Sequence, residues 1–303
     1  MLRLSLFSTL SGINRSLAVP GLAVALLLAN SSTGTAATTI LFSTGSPDGK
    51  IATLSRPAST GKLETETADD FVLGQAALVT NATFTGLFVG GATTADINDI
   101  EIELYHIFPV DSTFPPDGRV LTRTNSPSDN EFAAFDSAAG QLTFTTTVLN
   151  PVFTASNSVV DGINAFPNQF TGGEGAVTGI EVQINVTFTT PFAVGATDHD
   201  FFRPEVDLGS AGNFLWLSAP KPITSPGTPF QFPAGTTDLQ TWIRNDGPGT
   251  LAPDWSRVGT DITNQGPFNA AFSLSGQVPE PSGLSLLAIG LTGMVLIRLG
   301  RRK

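Results

Sequence analysis

Residues 180–188 read Ile-Glu-Val-Gln-Ile-Asn-Val-Thr-Phe, with an apolar side chain at every second position. Successive side chains of a β-strand point to opposite faces of a sheet, so this period places five apolar residues on one face and four polar residues on the other. The stretch therefore predicts a strand with one buried face and one solvated face. Such a strand needs neighbouring strands and a second layer that covers its apolar side.

The same alternation recurs elsewhere in the chain. It is clear at residues 99–104, 142–148 and 272–274, and weaker strands fit at residues 39–43, 78–89, 201–206, 214–217 and 239–243. Turn-forming clusters of Gly, Pro, Asp and Ser separate these segments, and no sustained 3.6-residue period occurs between residues 38 and 277. We expect an all-β domain over 38–277, an antiparallel, jelly-roll-like β-sandwich. Its longest loops would be 109–140 and 219–237.

The composition and charge of the chain exclude several kinds of site and partner. The chain of 303 residues has no cysteine, which excludes disulfides, thiolate metal sites and cysteine nucleophiles. Its net charge is −11, but six of its 15 basic residues lie in the two end segments described next. Without those six, nine basic residues face 26 acidic ones, a net charge near −17. Such a surface repels phosphate backbones, so we expect no nucleic-acid partner.

The N-terminal segment has the pattern of an export signal. Arg3 and Arg15 precede an apolar run at residues 17–29, and small residues follow as far as Ala37. A charged region, an apolar region and a small-residue cleavage site define a signal peptide, which we expect to span 1–37. A retained membrane anchor is the alternative. It is disfavoured because the run is short and contains Pro20 and Gly21.

The C-terminal segment combines three features within 26 residues. Pro279-Glu280-Pro281 stands before an apolar run at 283–297, and the run is followed by the basic residues Arg298, Arg301, Arg302 and Lys303. Basic residues beside an apolar helix hold that side in the cytoplasm, so the domain would face outward. A buried terminal helix is the alternative. The run lacks a polar face, since Ser285 and Thr292 are its only polar residues after Gly283.

This combination resembles the PEP-CTERM sorting signal, which would occupy residues 278–303. The resemblance implies that exosortase, a membrane-embedded cysteine protease of Gram-negative bacteria, removes the tail after a transient stay in the inner membrane. Three stretches of the domain, at residues 67–71, 214–218 and 254–261, are also similar to segments that recur in PEP-CTERM proteins without an assigned activity. They imply no substrate.

Few residues are suited to catalysis. His106 continues the apolar face of its strand and is expected to be structural, and His199 is expected in a surface turn that enters a strand. Glu101 and Glu103 share a strand face, which suggests either a solvated acidic surface or a glycosidase-like carboxylate pair. No Gly-x-Ser-x-Gly motif occurs, so a serine hydrolase is disfavoured.

Two further kinds of site are conceivable. Calcium would suit an acidic secreted domain, and its candidate ligands are Asp69, Asp70, Asp254 and Asp261. These positions do not form a compact calcium loop, so we assign no metal and no cofactor. Among the tryptophans, Trp216 is expected in the core. Trp242 and Trp255 have polar neighbours and are the candidates for exposed rings that contact a sugar.

Two hypotheses about function follow. The first is a non-enzymatic, exported protein of the cell envelope or extracellular matrix, structural or associated with polysaccharide, that reaches the cell surface or the medium. The alternative is a secreted hydrolase that uses carboxylates to act on polysaccharide. A cleft with paired acids and stacked tryptophan would favour the hydrolase.

Overall fold

The computed structural model describes residues 38–59, 61–108, 124–160, 170–221, 237–245 and 255–279. These residues fold almost entirely as β-strands. The strands are β1 (Thr39–Ser43), β2 (Ile51–Leu54), β3 (Thr65–Val72), β4 (Ala77–Val89), β5 (Asp99–Ile107), β6 (Pro127–Asp136), β7 (Leu142–Ala155), β8 (Asn157–Val159), β9 (Val177–Val194), β10 (His199–Asp207), β11 (Asn213–Ala219), β12 (Trp242–Asn245), β13 (Ser256–Arg257), β14 (Asn269–Ala270) and β15 (Phe272–Gln277).

The strands form two sheets, which confirms the all-β prediction. Sheet I has nine strands: β9 pairs with both β7 and β4, and β4 continues to β15 and β1 at one end and to β11, β2 and β8 at the other. The ninth strand, β14, pairs with β11. Sheet II has six strands in the order β13-β12-β3-β10-β5-β6. The pairing is antiparallel except between β2 and β8, which run parallel, so the expectation of a purely antiparallel fold is wrong at this pair.

The core lies between the two sheets. Phe202 of sheet II stacks on Phe272 of sheet I with 5.1 Å between ring centroids, and both rings contact Trp216. Trp216 is 1% exposed, as expected, and its indole N–H donates to the carbonyl oxygen of Ala271 at 2.9 Å. Apolar faces of the alternating strands supply the rest of this core, for example Ile100 and Ile184.

The expected strands occur, and several more appear. Residues 39–43 form β1 with the expected bounds, and residues 180–188 lie inside the longer β9. The expected long loop at 109–140 contains a strand, β6, and the expected strand at 239–243 begins only at Trp242. Two short helical turns complete the described elements, a 3-10 turn at Thr94–Asp96 and a π turn at Val258–Ile262.

Strand β3 was not predicted, and it departs from the one-sided pattern of the alternating strands. All eight residues of β3 are buried, including Glu66, Asp69 and Asp70, so this strand has no solvated face. Charged residues on its outer side pair with side chains from β10 and β12, as described below. Ion pairs to Glu66 and hydrogen bonds to Asp69 and Asp70 take the place of water along this strand.

The two end segments lie outside the described residues, except for Val278 and Pro279 at the start of the C-terminal one. This holds for the apolar runs at 17–29 and 283–297, for Glu280 and Pro281 of the proline motif, and for the basic residues Arg298, Arg301, Arg302 and Lys303. Within the described part of the chain, no helix is long and apolar enough to cross a membrane.

Candidate functional site

The two tryptophans proposed for sugar contact are buried. Trp242 is 2% exposed and Trp255 is 0% exposed, so the prediction of exposure is wrong for both. Their polar neighbours had indicated a surface position, but Thr241 and Ser256 are themselves buried. Thr241, for instance, donates its hydroxyl to Asp69 Oδ1 at 3.0 Å.

Trp255 packs instead against charged and aromatic groups of sheet II. Its ring meets the Tyr105 ring edge-on at 5.8 Å, and the guanidinium carbon of Arg244 lies 4.6 Å from its centroid. Trp242 borders a small cleft of about 230 Å³ together with Lys221, Asp238 and other residues, but its low exposure leaves little ring surface for a ligand.

Glu103, one of the two acids predicted to share a face of β5, belongs to a buried ionic cluster, which we call the Arg203 cluster. Arg203 is 1% exposed and forms ion pairs with four glutamates at 2.8–3.1 Å; the members are Arg203, Arg244, Glu64, Glu66, Glu103, Glu205 and Tyr105. Arg244 pairs with Glu66 through Nε and Nη2, and the Tyr105 hydroxyl donates to Glu103. Glu103 within the cluster and Glu101 outside it are both half-buried, so the expectation of a solvated acidic face is wrong.

The physical reason lies in the strand register. Arg203 on β10 is directly opposite Glu103 on β5, and Glu205 is directly opposite Glu101. A buried arginine in the neighbouring strand therefore attracts acids that the local sequence would place in water. Arg203 lies about a hundred residues further along the chain, so the alternation within β5 cannot reveal it.

The charges of the Arg203 cluster do not balance if every carboxyl is ionised, because four glutamates face two arginines. Glu205 is 0% exposed, and this burial raises the pKa of its carboxyl well above the usual value. Burial and the neighbouring Glu66 raise the pKa of Glu64 to about 7. Protonation of Glu64 as the pH falls through about 7 reduces this excess of negative charge.

Both histidines are held by buried aspartates. His106 is exposed, which contradicts the expectation that it continues the apolar face of its strand; irregular pairing of β5 with β6 on either side of Tyr105 accompanies this change. Its Nδ1 lies 2.7 Å from Asp200 Oδ1, and its ring stacks on Phe132 at 4.2 Å. His199 opens β10 after a turn, as expected, and its Nε2 lies 2.8 Å from Asp70 Oδ2.

The candidate calcium ligands have protein partners. Asp69 accepts hydrogen bonds from Thr241 and from the Ala270 amide, and Asp261 forms a two-point ion pair with Arg257. Asp254 lies outside the described residues. Within the described ranges, no three acidic or histidine side chains are grouped so that they could hold a metal ion.

Sheet I presents a different surface, which sequence reasoning did not single out. Its outer face carries small neutral polar side chains in register, and we call it the outer polar face: Thr143, Thr145, Thr147, Gln183, Asn185, Thr187, Asn81, Thr83, Ser273 and Ser275. Neighbouring strands are linked across it by side-chain hydrogen bonds from Asn81 to Thr187 at 2.8 Å and from Thr83 to Asn185 at 3.1 Å. The polar residues that alternate with the apolar ones along these strands are the sequence signal that could have located this face.

A groove of about 480 Å³ lies on the outer polar face, and we call it the polar groove. Thr83, Gln183 and Ser273 line it together with Ser43, Ser46 and Leu149. Glu181 is the only ionisable residue among the described residues that line it, and its burial raises the pKa of that carboxyl. Hydroxyl and amide groups of this kind donate and accept hydrogen bonds without carrying charge, so the groove suits a neutral, polyhydroxylated ligand.

The chain was compared with known proteins in three ways. It matches no protein-family model, no curated protein sequence and no solved structure.

Proposed function

We propose that this chain is an exported, non-enzymatic protein of the cell envelope or extracellular matrix, whose C-terminal segment is processed by exosortase. The observation that supports this most strongly is the arrangement of the tail. The last strand, β15, ends at Gln277 between β1 and β4. Pro279 follows two residues later and opens the sequence that resembles the sorting signal.

The proline motif begins two residues after the last strand, and its composition suits a processing role. Prolines restrict the backbone to extended conformations and lack the amide hydrogen that a helix or sheet would use, and a protease binds its substrate in an extended form. In this proposal residues 1–37 direct export, residues 283–297 hold the chain transiently in the inner membrane, and the domain then reaches the cell surface or the medium. The domain itself would be a jelly-roll-like sandwich.

The pairing of the ionisable groups supports a structural role over the hydrolase alternative. A glycosidase needs two carboxyl groups that flank a bound sugar in a cleft. Glu103 is instead paired with Arg203 at 3.1 Å, and the two tryptophans that could have stacked on a sugar are buried.

We also propose that the polar groove contacts neutral polysaccharide. A domain with a net charge near −17 repels acidic polymers, whereas neutral chains meet no such barrier. The hydroxyl and amide groups of Thr83, Gln183 and Ser273 match the hydrogen-bonding groups of a sugar, and Leu149 supplies an apolar contact.

Processing can be tested in the producing bacterium by replacing the motif. We expect the triple variant Pro279→Ala/Glu280→Ala/Pro281→Ala to remain in the membrane fraction, while the unaltered chain is released to the surface or medium. Ser285→Ala, inside the apolar run, is the matched control and should be released normally. Equal release of the triple variant and the unaltered chain would contradict the sorting role.

The groove can be tested separately by electrophoresis through gels that contain a soluble polymer. We expect hydroxyethyl cellulose, a neutral glucan, to retard the secreted protein, and alginate, an acidic polymer, to leave its mobility unchanged. Thr83→Val/Gln183→Leu should abolish the retardation, whereas Thr190→Val, an exposed change on β9, should not. Equal mobility with and without the glucan would remove the polysaccharide part of the proposal.

A further inference from the structure

Strand β7 forms one edge of sheet I. It has 14 residues and, within the described part of the chain, pairs only with β9. The sequence from 137 to 160, which includes all of β7, contains no charged residue. Proteins usually protect a long edge strand with charges, prolines or bulges, so an unprotected edge is a ready site for pairing with another strand.

The protection of β7 is confined to its second half. There the pairing with β9 is irregular between Val148 and Phe153, Pro151 has no amide hydrogen, and the Val152 amide already donates to Asn150 Oδ1 at 3.0 Å. From Leu142 to Val148 the register is regular and the sequence contains no proline. This first half is therefore the available edge.

The hydrogen-bond pattern shows which backbone groups face outward. The Thr189 amide donates to the Gln141 carbonyl at 2.9 Å, so the carbonyl of Gln141 points toward β9. Residues of an antiparallel strand alternate between their two neighbours, so positions 143, 145 and 147 also bond to β9. Positions 142, 144, 146 and 148 direct their N–H and C=O groups to the open edge.

From this pattern we infer that β7 pairs antiparallel with β7 of a second copy of this chain, about a twofold axis at Thr145. The four outward residues then pair among themselves, Leu142 with Val148 and Phe144 with Thr146 of the other copy. Each of these hydrogen-bonded pairs exchanges two bonds, so the pairing would form about eight backbone hydrogen bonds. A register shifted by one residue would leave these groups unpaired.

The side chains match in the same register. On the outer polar face Thr143 lies opposite Thr147, and Thr145 lies opposite itself; cross-strand threonine pairs stabilise sheets. On the other face Leu142 lies opposite Val148, which is 48% exposed in the single chain. The sequence from 142 to 148 is thus complementary to its own reverse.

Charge also favours a second copy at this edge. Two copies with a net charge near −17 repel each other over most of their surfaces. The uncharged stretch around β7 is where they can approach at the least electrostatic cost. Pairing here would join two copies of sheet I into one continuous sheet, independently of whether the C-terminal segment is processed.

The absence of native cysteine makes a direct test possible. In the inferred register Thr145 lies opposite its own copy in a non-hydrogen-bonded pair, with about 4.5 Å between Cα atoms, which permits a disulfide. We expect Thr145→Cys in the secreted protein to form a disulfide-linked dimer on mild oxidation. Thr143→Cys is the matched control on the same strand; its two copies would lie about 13 Å apart and should stay unlinked.

A mixture checks the register. Thr143→Cys mixed with Thr147→Cys should form linked dimers, because these positions face each other, whereas each variant alone should not. Sedimentation of the unaltered protein should give twice the monomer mass. A monomer mass at tens of micromolar together with no linkage of Thr145→Cys, or linkage of Thr143→Cys as efficient as that of Thr145→Cys, would overturn the inference.

Discussion

Replacement of Arg203 by methionine tests the buried ionic cluster most severely. Arg203 is 1% exposed and contacts Glu64, Glu66, Glu103 and Glu205 at 2.8–3.1 Å. Methionine has a similar length and no charge, so Arg203→Met removes the cation without leaving a large void. The four carboxyl groups then share only one neighbouring guanidinium, that of Arg244.

The expected loss can be apportioned among the four carboxyl groups. Glu64 and Glu103 are partly exposed, at 31% and 17%, and can regain water, while Glu66 keeps its ion pair with Arg244. Glu205, which is 0% exposed, is left with neither water nor a counter-charge. Removal of one partner of a buried ion pair costs about 3–5 kcal/mol, and we expect Arg203→Met to lower the free energy of unfolding by this amount.

Urea unfolding of the secreted protein, followed by tryptophan fluorescence, measures the loss. Trp255 lies close to Arg244, so the signal reports on this region. The double variant Arg203→Met/Glu205→Leu should recover at least about 2 kcal/mol, because the isolated carboxyl is gone. Lys50→Met is the control: Lys50 is 72% exposed, and its ion pair with Asp48 should contribute less than about 1 kcal/mol. A loss below about 1 kcal/mol for Arg203→Met would refute the reasoning.

Three further predictions concern other parts of the domain. The pKa of Glu64 is raised to about 7 from an ordinary 4.5, so the folded state favours the protonated carboxyl. The protonated carboxyl therefore stabilises the fold fully below about pH 4.5, and this stabilisation is lost as the pH rises through 7. Glu64→Gln should therefore flatten the change in urea midpoint between pH 4.5 and 7.5, and an unchanged slope would contradict the assignment. A Cβ at Gly86 would lie 2.2 Å from Phe214 Cε2 and 2.6 Å from the Leu215 carbonyl oxygen. Gly86→Ala should therefore lower the free energy of unfolding by about 2–3 kcal/mol in the same assay. Gly74→Ala is the control and should not, because a Cβ there meets no atom within 4 Å. The buried Thr44 hydroxyl donates to the Ala270 carbonyl at 2.6 Å and accepts from the Phe272 amide at 2.9 Å. Thr44→Val should therefore lower the free energy of unfolding by about 1–3 kcal/mol. Equal stability of Thr44→Val and the exposed control Thr39→Val would argue against these bonds.

Period-two alternation predicted the strands that have one apolar and one polar face. β9 and β5 are the clearest cases, because each buries one face against the core. β3 gave no such signal. Its sequence Thr-Glu-Thr-Ala-Asp-Asp-Phe-Val resembles a polar loop, yet all eight residues are buried because partners from other strands satisfy the charges.

The sites were harder to predict than the strands because the residues that form them come from distant parts of the sequence. Arg244 meets Glu66 across 178 positions of the chain, and Arg203 meets Glu66 across 137, so no local pattern reveals the Arg203 cluster. Polar neighbours suggested that Trp255 is exposed, but the neighbour Ser256 is buried as well. The polar groove also depends on the alignment of β4, β9 and β15, which only the register of sheet I brings together.

The intact mass of the mature protein tests the central claim most directly. Export and processing predict a chain that starts near Thr38 and ends near Pro281, without the apolar run and the basic residues after it. Material released from the cell with Arg301, Arg302 and Lys303 still attached would contradict the account.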